Sequence, residues 1–301
     1  MTTAFMQDVE QRSAAALASG DLQPIITEQT DIQDQGLPFA VHWVSTLAAK
    51  DASKGSTSVA IPGGPRDPDF NPFLKPDPAL LLGPIGGQHV AILNKFPLCA
   101  NHIVLATNEF QEQRSPLTLE DCSVWATIMS ANGGLGFYNG GTDAGASQRH
   151  KHVQWLPTAP GNASLRFLVS SLPSNAPEHS LHRHPLLAFK HAFVRVQCGL
   201  GVDAAVSAAS MYQAFTLACD QLGLVVDDQG LLSPCNVVVE QGWLLLVPRV
   251  REHVGDVSVN ALFYGGTIYI RQPQHIEPVR SMGPLAVLAQ VGVAVDAMEC
   301  F

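Results

Sequence analysis

The sequence predicts an α+β fold whose sheets are mostly antiparallel. The chain has 301 residues, 46% of them hydrophobic, which is enough to bury one large core or two smaller ones. Short β-branched runs follow one another across turns, as CNVVVEQ and WLLLVPR do around Gln241-Gly242. Neighbouring runs of this kind predict hairpins. The regular strand–helix alternation of a doubly wound parallel sheet is missing from the pattern.

In the first half of the chain, one long loop separates two groups of elements. Residues 4–19 have helical spacing and end at Gly20. A polar, irregular stretch follows, and an apolar pattern resumes at 39–49. Residues 51–79 contain six prolines and predict a long loop, which in a compact domain is commonly functional or disordered. The runs HVAILNKF and HIVLAT then predict paired strands. Thr118 begins a helix that extends to residue 129, with Asp121 as the reciprocal partner of its cap.

The rest of the chain alternates strands with two helices. A short strand leads into a glycine-rich turn, and a strand over residues 150–156 follows it. FKHAFVRVQ predicts another strand, and residues 204–222 predict a long apolar helix. The CNVVVEQ–WLLLVPR hairpin, the strand GTIYIR and the helix GPLAVLAQVGVAV complete the chain. We expect two sheet-plus-helix halves, a catalytic domain over 1–195 and a domain over 196–301 that completes the site.

Charge and cysteine usage limit the possible functions. Acidic residues outnumber basic ones by 26 to 17, and the formal net charge is −9. This balance argues against nucleic acid as a partner, because such binding needs a basic face, but it leaves a small polyanion possible. The six cysteines form no C-x-x-C pair. The sequence predicts reduced thiols, no signal peptide, no membrane span and a cytoplasmic location.

The most informative segment is a histidine pair that follows a glycine-rich turn. On a strand, alternate side chains share a face, so His150, His152 and Gln154 are expected on one side. Burying polar side chains on a strand that packs in the core costs free energy unless they bond to a ligand or another partner. The preceding loop, with Gly140, Gly141, Gly145 and Ser147, could direct backbone N–H groups at an anion.

These residues favour a histidine nucleophile that attacks phosphorus, but other interpretations remain open. The free base of histidine is well populated at neutral pH and is nucleophilic. A satisfied pair of core histidines is one alternative, and a general base for hydrolysis without a covalent intermediate is another. A zinc site is a third, which would need a further ligand such as His179, His182, His184 or His191. Glutamine is a poor zinc ligand, so the segment itself favours an oxyanion.

The segment resembles the diadenosine tetraphosphate (Ap4A) phosphorylases, also called ATP adenylyltransferases, in the histidine-triad superfamily. The family pattern of Asn, Gly-Ser/Ala-Ser and His-Lys-His-hydrophobic-Gln matches Asn139, residues 145–147 and HKHVQ. The landmarks NPF at 71–73, LNKFP, ATNEFQEQ at 106–113, WLLLVPR and SVNAL follow in the family's order. The resemblance implies two histidine-triad-like halves with a galactose-1-phosphate uridylyltransferase-like architecture.

The resemblance also implies roles for individual residues. His152 would be the adenylylated nucleophile, while His150 would hold and polarise the site and Gln154 would bond the transferred phosphoryl group. The implied reaction is reversible phosphorolysis of Ap4A to ADP and ATP. Alternatives on the same scaffold are a dinucleoside polyphosphate hydrolase and a sugar-phosphate nucleotidylyltransferase, and the non-enzymatic alternative is a nucleotide-binding sensor. Substrate contacts are implied at Lys50, Asn94, Lys95, Asn139, Gly145, Ala146, Ser147, Gln148, Asn260, Ala261, Leu262, Thr267 and Arg271.

The expected partners are therefore small nucleotides and phosphate. A divalent cation such as Mg²⁺ is expected to accompany the polyphosphate, because its oxygens are hard ligands that this ion prefers. The sequence contains no recognisable ligand set for Mg²⁺, and no tightly bound cofactor is expected.

Overall fold

One nine-stranded sheet runs through both halves of the chain. The computed structural model describes residues 3–25, 27–44 and 71–295. The strands are β1 (Thr27–Asp34), β2 (Leu37–Val44), β3 (Leu81–Ile85), β4 (His89–Leu93), β5 (Ile103–Thr107), β6 (Leu135–Gly140), β7 (His152–Leu156), β8 (Leu181–His182), β9 (Ala192–Arg195), β10 (Cys235–Glu240), β11 (Trp243–Pro248), β12 (His253–Val254), β13 (Val257–Ser258) and β14 (Thr267–Ile270). The helices are α1 (Ala4–Ser19), α2 (Leu119–Asn132), α3 (Arg166–Val169), α4 (Ala204–Leu222), α5 (Ile276–Met282) and α6 (Pro284–Val291).

The topology confirms the predicted α+β class and the antiparallel pairing. The large sheet has the order β3-β4-β5-β7-β6-β10-β11-β9-β8, and every pairing within it is antiparallel. A second sheet has the order β1-β2-β14, with β14 parallel to β2. Strands β3 to β7 lie within residues 81–156 and strands β8 to β11 within residues 181–248, so the pairing of β6 with β10 joins these two parts of the chain.

Two hydrophobic cores lie on opposite faces of the large sheet. On one face, α1, α2 and α4 cover strand residues such as Val153 and Trp155. On the other face, the smaller sheet and α6 cover residues such as Phe137 and Leu156. Because side chains alternate along β7, His152 and Gln154 point to the second face.

Several local predictions are confirmed. Helix α1 is capped by Thr3 and ends at Gly20, whose φ is 83°. Helix α2 begins after Thr118, where the predicted reciprocal capping by Asp121 is present. Helix α4 coincides with the predicted 204–222 segment. None of the helices in the described ranges is long and apolar enough to cross a membrane.

Some sequence predictions were wrong or incomplete. The stretch after Gly20 was expected to be irregular but contains most of the β1–β2 hairpin, whose first strand is polar because only Ile32 in it is buried. The elements that were not predicted are β3, β8, β12, β13, α3 and α5. The strand expected over 189–197 covers only Ala192–Arg195, and the one expected from His150 begins at His152. Residues 51–70 of the predicted loop lie outside the described residues.

A buried ion pair supports β7 from the face opposite His152. The Lys151 Nζ lies 2.6 Å from Asp121 Oδ2 and donates to the Pro116 carbonyl, and both charged side chains are at most 1% exposed. Burial raises the pKa of Asp121, but bonds from His89 and Lys151 outweigh it and lower that pKa to about 2. The carboxylate is therefore ionised at neutral pH, and it ties the start of β7 to the first turn of α2.

We expect Lys151→Met to lower the free energy of unfolding by about 3–5 kcal/mol, because it leaves the Asp121 carboxylate buried without its main cation. Urea denaturation measures this loss, and Lys75→Met, which removes an exposed lysine, serves as the control. The double variant Lys151→Met/Asp121→Asn, which removes the buried charge but keeps an acceptor for the cap of α2, should recover part of the stability. Equal effects of the two single lysine variants would contradict a structural role for the buried pair.

Candidate active site

The tautomer of His152 is set by its own strand. Its Nδ1 lies 2.8 Å from the His150 carbonyl oxygen, which can only accept, so Nδ1 carries the proton. The Nε2 atom is then the lone-pair nitrogen. The side chain is 5% exposed, and burial lowers the pKa of His152 to about 4. The imidazole is therefore a neutral base at pH 7, which is the state that a nucleophile requires.

The side chain of Gln113 holds the backbone of His152. Its Oε1 accepts from the His152 N–H at 2.8 Å, and its Nε2 donates to the carbonyl oxygens of His152 and Asn139. Strands β6 and β7 pair only as far as Phe137 and Gln154. Beyond that point, the carboxamide of Gln113 occupies the gap between them like an inserted peptide group. This role of Gln113 was not predicted, although Gln113 ends the ATNEFQEQ landmark.

His150 lies just before β7 and packs among aromatic rings. Its Nε2 is 2.8 Å from the Thr107 carbonyl oxygen, and its Nδ1 is 3.1 Å from Asn71 Oδ1. The Phe73 ring contacts both histidines, with centroid distances of 5.8 Å to His150 and 4.9 Å to His152. The exposed Phe110 ring approaches His150 edge-on. Residues of the NPF landmark thus form one wall beside the two histidines.

Gln154 is on the same strand face as His152, and its Oε1 lies 2.9 Å from the Nε2 of His102. His102 was absent from the sequence-based site. It is 2% exposed and contacts Asn94, whose Nδ2 is 3.2 Å from its Nδ1. Asn94 was expected to hold the nucleoside, and the structure shows it bonded to His102 and to the N–H of Phe96. Its expected contact with a nucleoside stays a prediction.

The glycine-rich turn is shaped by its own hydrogen bonds. The Gly145 N–H donates to the Thr142 carbonyl and the Ala146 N–H to the Gly141 carbonyl. Both N–H groups are bonded within the turn itself, and the predicted phosphate contacts of Gly145 and Ala146 stay predictions. Gly145 has a φ of 86°, and a Cβ there would lie 2.8 Å from the Val259 carbonyl oxygen. Only glycine allows the turn to approach the second half of the chain this closely.

Asn139 connects this turn to the second half. Its Oδ1 accepts from the Ala261 N–H at 2.9 Å and from Asn236 Nδ2 at 2.8 Å. Asn236 is fully buried, and its own Oδ1 accepts from the guanidinium of Arg249. Asn260 caps the short helical turn that follows it by accepting from the Leu262 N–H. The predicted residues Asn139, Gly145, Asn260 and Ala261 are thus brought together.

The remaining predicted contacts are more scattered. Lys95 is exposed after β4, and Leu262 is buried in the second core. Thr267 and Arg271 lie in and just after β14, which belongs to the smaller sheet. Ser147 and Gln148 follow the turn, and their predicted phosphate contacts stay predictions. Lys50 lies outside the described residues.

The four histidines that could have been the third ligand of a zinc site lie away from His150 and His152. His182 belongs to β8, five strand spacings from β7 in the sheet order, which is about 24 Å at ~4.8 Å per spacing. His184 and His191 contact each other near the same end of the sheet, and His179 lies beside Ser210 of α4. Within the described ranges, no three histidine, cysteine, aspartate or glutamate side chains are grouped to hold a metal ion.

Comparisons with known proteins point to one family. Residues 1–172 match the model of the Ap4A phosphorylase N-terminal domain, and residues 185–294 match that of the ATP adenylyltransferase C-terminal domain. In Saccharomyces cerevisiae, diadenosine 5',5'''-P1,P4-tetraphosphate phosphorylase 2 is 27% identical over 90% of this chain and 88% of its own. Protein APA1 of the same yeast is 25% identical over 88% and 86% of the two chains.

Solved structures show the same fold. The crystal structure of the yeast Ap4A phosphorylase Apa2 has a TM-score of 0.77 at 20% identity and covers 99% of this chain and 100% of its own. Its complex with Ap4A has a TM-score of 0.70 at 21% identity, with the same coverage. The predicted α+β fold with mostly antiparallel sheets is confirmed.

We expect the pKa of His152 to lie near 4, well below the ordinary value of 6.5, because burial disfavours the imidazolium. Titration of the ring carbon signals by NMR measures it. Between pH 6.5 and 4, the unfolded chain binds a proton that the folded chain rejects, so stability attributable to His152 falls as the pH falls. A measured pKa of 6 or above would contradict the buried neutral base.

Proposed function

The chain belongs to the Ap4A phosphorylase family, and on that premise we propose that it cleaves Ap4A by phosphorolysis to ADP and ATP through an AMP-histidine intermediate. The observation that carries the proposal is the state of His152. Its Nδ1 proton is held by the His150 carbonyl, and burial keeps the ring neutral. The unprotonated Nε2 is therefore available as a nucleophile.

The proposed reaction consists of two in-line displacements at one phosphorus. In the first, the His152 Nε2 forms a bond to the α-phosphorus, the bond to the bridging oxygen breaks, and ATP leaves with that electron pair. In the second, an oxygen of inorganic phosphate attacks the same phosphorus, the P–N bond breaks, and ADP leaves. Gln154 donates to the transferred phosphoryl group in both steps. Positioning and charge stabilisation supply the rate enhancement.

Two residues assist by holding other groups in place. Gln113 fixes the backbone of His152 on both sides of its side chain, which limits the direction from which the ring can approach phosphorus. Asn139 joins the glycine-rich turn to residue 261 of the second half. The site is thus built from both halves, and the reaction needs them packed together.

We also propose that Mg²⁺ accompanies the polyphosphate and that the enzyme acts in the cytoplasm. Within the described ranges, no cluster of three candidate metal ligands is present, so the ion would be held chiefly by phosphate oxygens and water. The ion would neutralise phosphate charge. The described cysteines, which include Cys99 and Cys198, are free thiols, as is usual in a reducing compartment.

Incubation with Ap4A in the absence of phosphate should leave AMP on His152, because the second displacement then lacks its nucleophile. The adduct should be acid-labile, as phosphoramidates are, and peptide mapping locates it. We expect no label on His152→Ala, and labelling about 10²-fold slower for Gln154→Ala, the scale of one lost transition-state donor. His182→Ala, at the far end of the sheet, is the matched control. Label on another residue would contradict the assignment.

Phosphate should be a saturable co-substrate. We expect ADP and ATP as products, with a rate that rises and then saturates as phosphate is added, because phosphate itself attacks the intermediate. The measurement is product analysis over a phosphate series, together with zinc content by elemental analysis. Phosphate-independent cleavage with stoichiometric zinc would show a hydrolase instead, and nucleotide binding without turnover would show a sensor.

A further inference from the structure

The orientation of the Gln154 carboxamide decides whether this side chain can help the reaction. A carboxamide has two ends of nearly equal size, of which only the nitrogen donates hydrogen bonds. With nitrogen toward a transferred phosphoryl group, Gln154 would stabilise the growing negative charge. With oxygen toward that group, it would repel it. Something must therefore hold one orientation in preference to the other.

The first hydrogen bond that fixes the orientation of Gln154 comes from a backbone N–H after β4. The Phe96 N–H lies 3.1 Å from Asn94 Oδ1, and a backbone N–H can only donate, so that end of the Asn94 amide must be oxygen. The Asn94 Nδ2 is then the atom that faces His102 Nδ1, 3.2 Å away. Because Nδ2 donates, the Nδ1 of His102 must accept and carries no proton.

His102 passes this polarity on to Gln154. Its ring is 2% exposed, and burial lowers its pKa to about 4, so it carries one proton at neutral pH. With Nδ1 accepting, that proton is on Nε2, which lies 2.9 Å from Gln154 Oε1. The oxygen of Gln154 is thereby engaged by His102, and the amide nitrogen is the end left to meet a ligand.

The Asn139 side chain is a second amide whose orientation is fixed by a backbone donor. Its Oδ1 accepts from the backbone N–H of Ala261, so its oxygen too is fixed by a donor that cannot reverse. Gln154 and Asn139 therefore both have their amide oxygen bonded within the protein.

We propose that His102, oriented by Asn94, is a positioning residue that holds Gln154 with its amide nitrogen toward the transferred phosphoryl group. This inference rests on the proposed function for its chemistry but on separate contacts for its geometry. His102 touches neither substrate nor the reacting atoms. It acts only through Gln154, which makes its effect separable from that of an ordinary core residue.

The test is a double-mutant cycle between His102 and Gln154. We expect His102→Leu to lower kcat for phosphorolysis by about 10- to 100-fold, within the loss expected for a transition-state donor, with KM changed by less than about threefold. In a Gln154→Ala background, the same substitution should change kcat by less than about twofold, because the group it orients is gone. Equal losses in both backgrounds, or an unchanged kcat in the single variant, would overturn the proposal.

His102→Gln is the matched variant, because its side-chain Nε2 can replace the donor of the imidazole. We expect it to recover most of the activity lost in His102→Leu at a similar melting temperature. If His102→Leu is unfolded, the comparison of His102→Gln with His102→Glu decides the matter. The glutamate variant presents only acceptors to Gln154 and should be the less active of the two by at least about tenfold, whereas equal activities would overturn the proposal.

The tautomer of His102 gives a readout that does not depend on activity. Long-range ¹⁵N–¹H NMR of the unmodified protein should show the proton of His102 on Nε2 and that of His152 on Nδ1 between pH 6 and 8. A proton on Nδ1 of His102 would overturn the proposal even in an active enzyme. If the protein fails to cleave Ap4A, the proposed function is wrong. The tautomer of His102 still decides whether the hydrogen bonds from Asn94 through His102 orient Gln154.

Discussion

The hydrogen bond from His152 Nδ1 to the His150 carbonyl oxygen is the interaction on which the site depends. It requires that the backbone turn its carbonyl toward the ring of the residue two positions later. The chain achieves this where β7 begins, since His150 is still outside the strand and pairs only with Glu112. Gln113 then holds both backbone groups of His152. If β6 paired with β7 as far as His152, the backbone groups of His152 that bond Gln113 would be used by the sheet instead.

The two faces of β7 differ in charge, and the difference suits a neutral nucleophile. The residues toward the reacting face are neutral, since burial lowers the pKa values of His102 and His152 to about 4. The full charges of Lys151 and Asp121 are buried on the opposite face, where they compensate each other. Separating the two faces by one strand keeps the nucleophile neutral and the strand anchored.

The sequence was sufficient for features that depend on neighbours along the chain. The N-terminal cap of α2, the 204–222 helix, the hairpin around Gln241 and the shared face of His152 and Gln154 all follow from local spacing. The sequence was insufficient where a role arises from contacts between distant strands. His102 lies within an ordinary β-branched run, and only the pairing of β5 with β7 brings it to Gln154. Strand β1 was missed because a strand with one exposed face need contain few apolar residues.

The pairing of β6 with β10 has a consequence for producing the two parts of the chain as separate fragments. Both strands are buried along their whole length, and the Asn139–Asn236 contact lies across their boundary. Separately produced fragments would each expose a long apolar strand edge, which favours aggregation. Cleavage of one peptide bond within residues 173–184, between the two segments that the family models match, would instead leave the two fragments bound to each other. Complementation of co-expressed fragments, rather than expression of one alone, is therefore the route by which this protein can be divided.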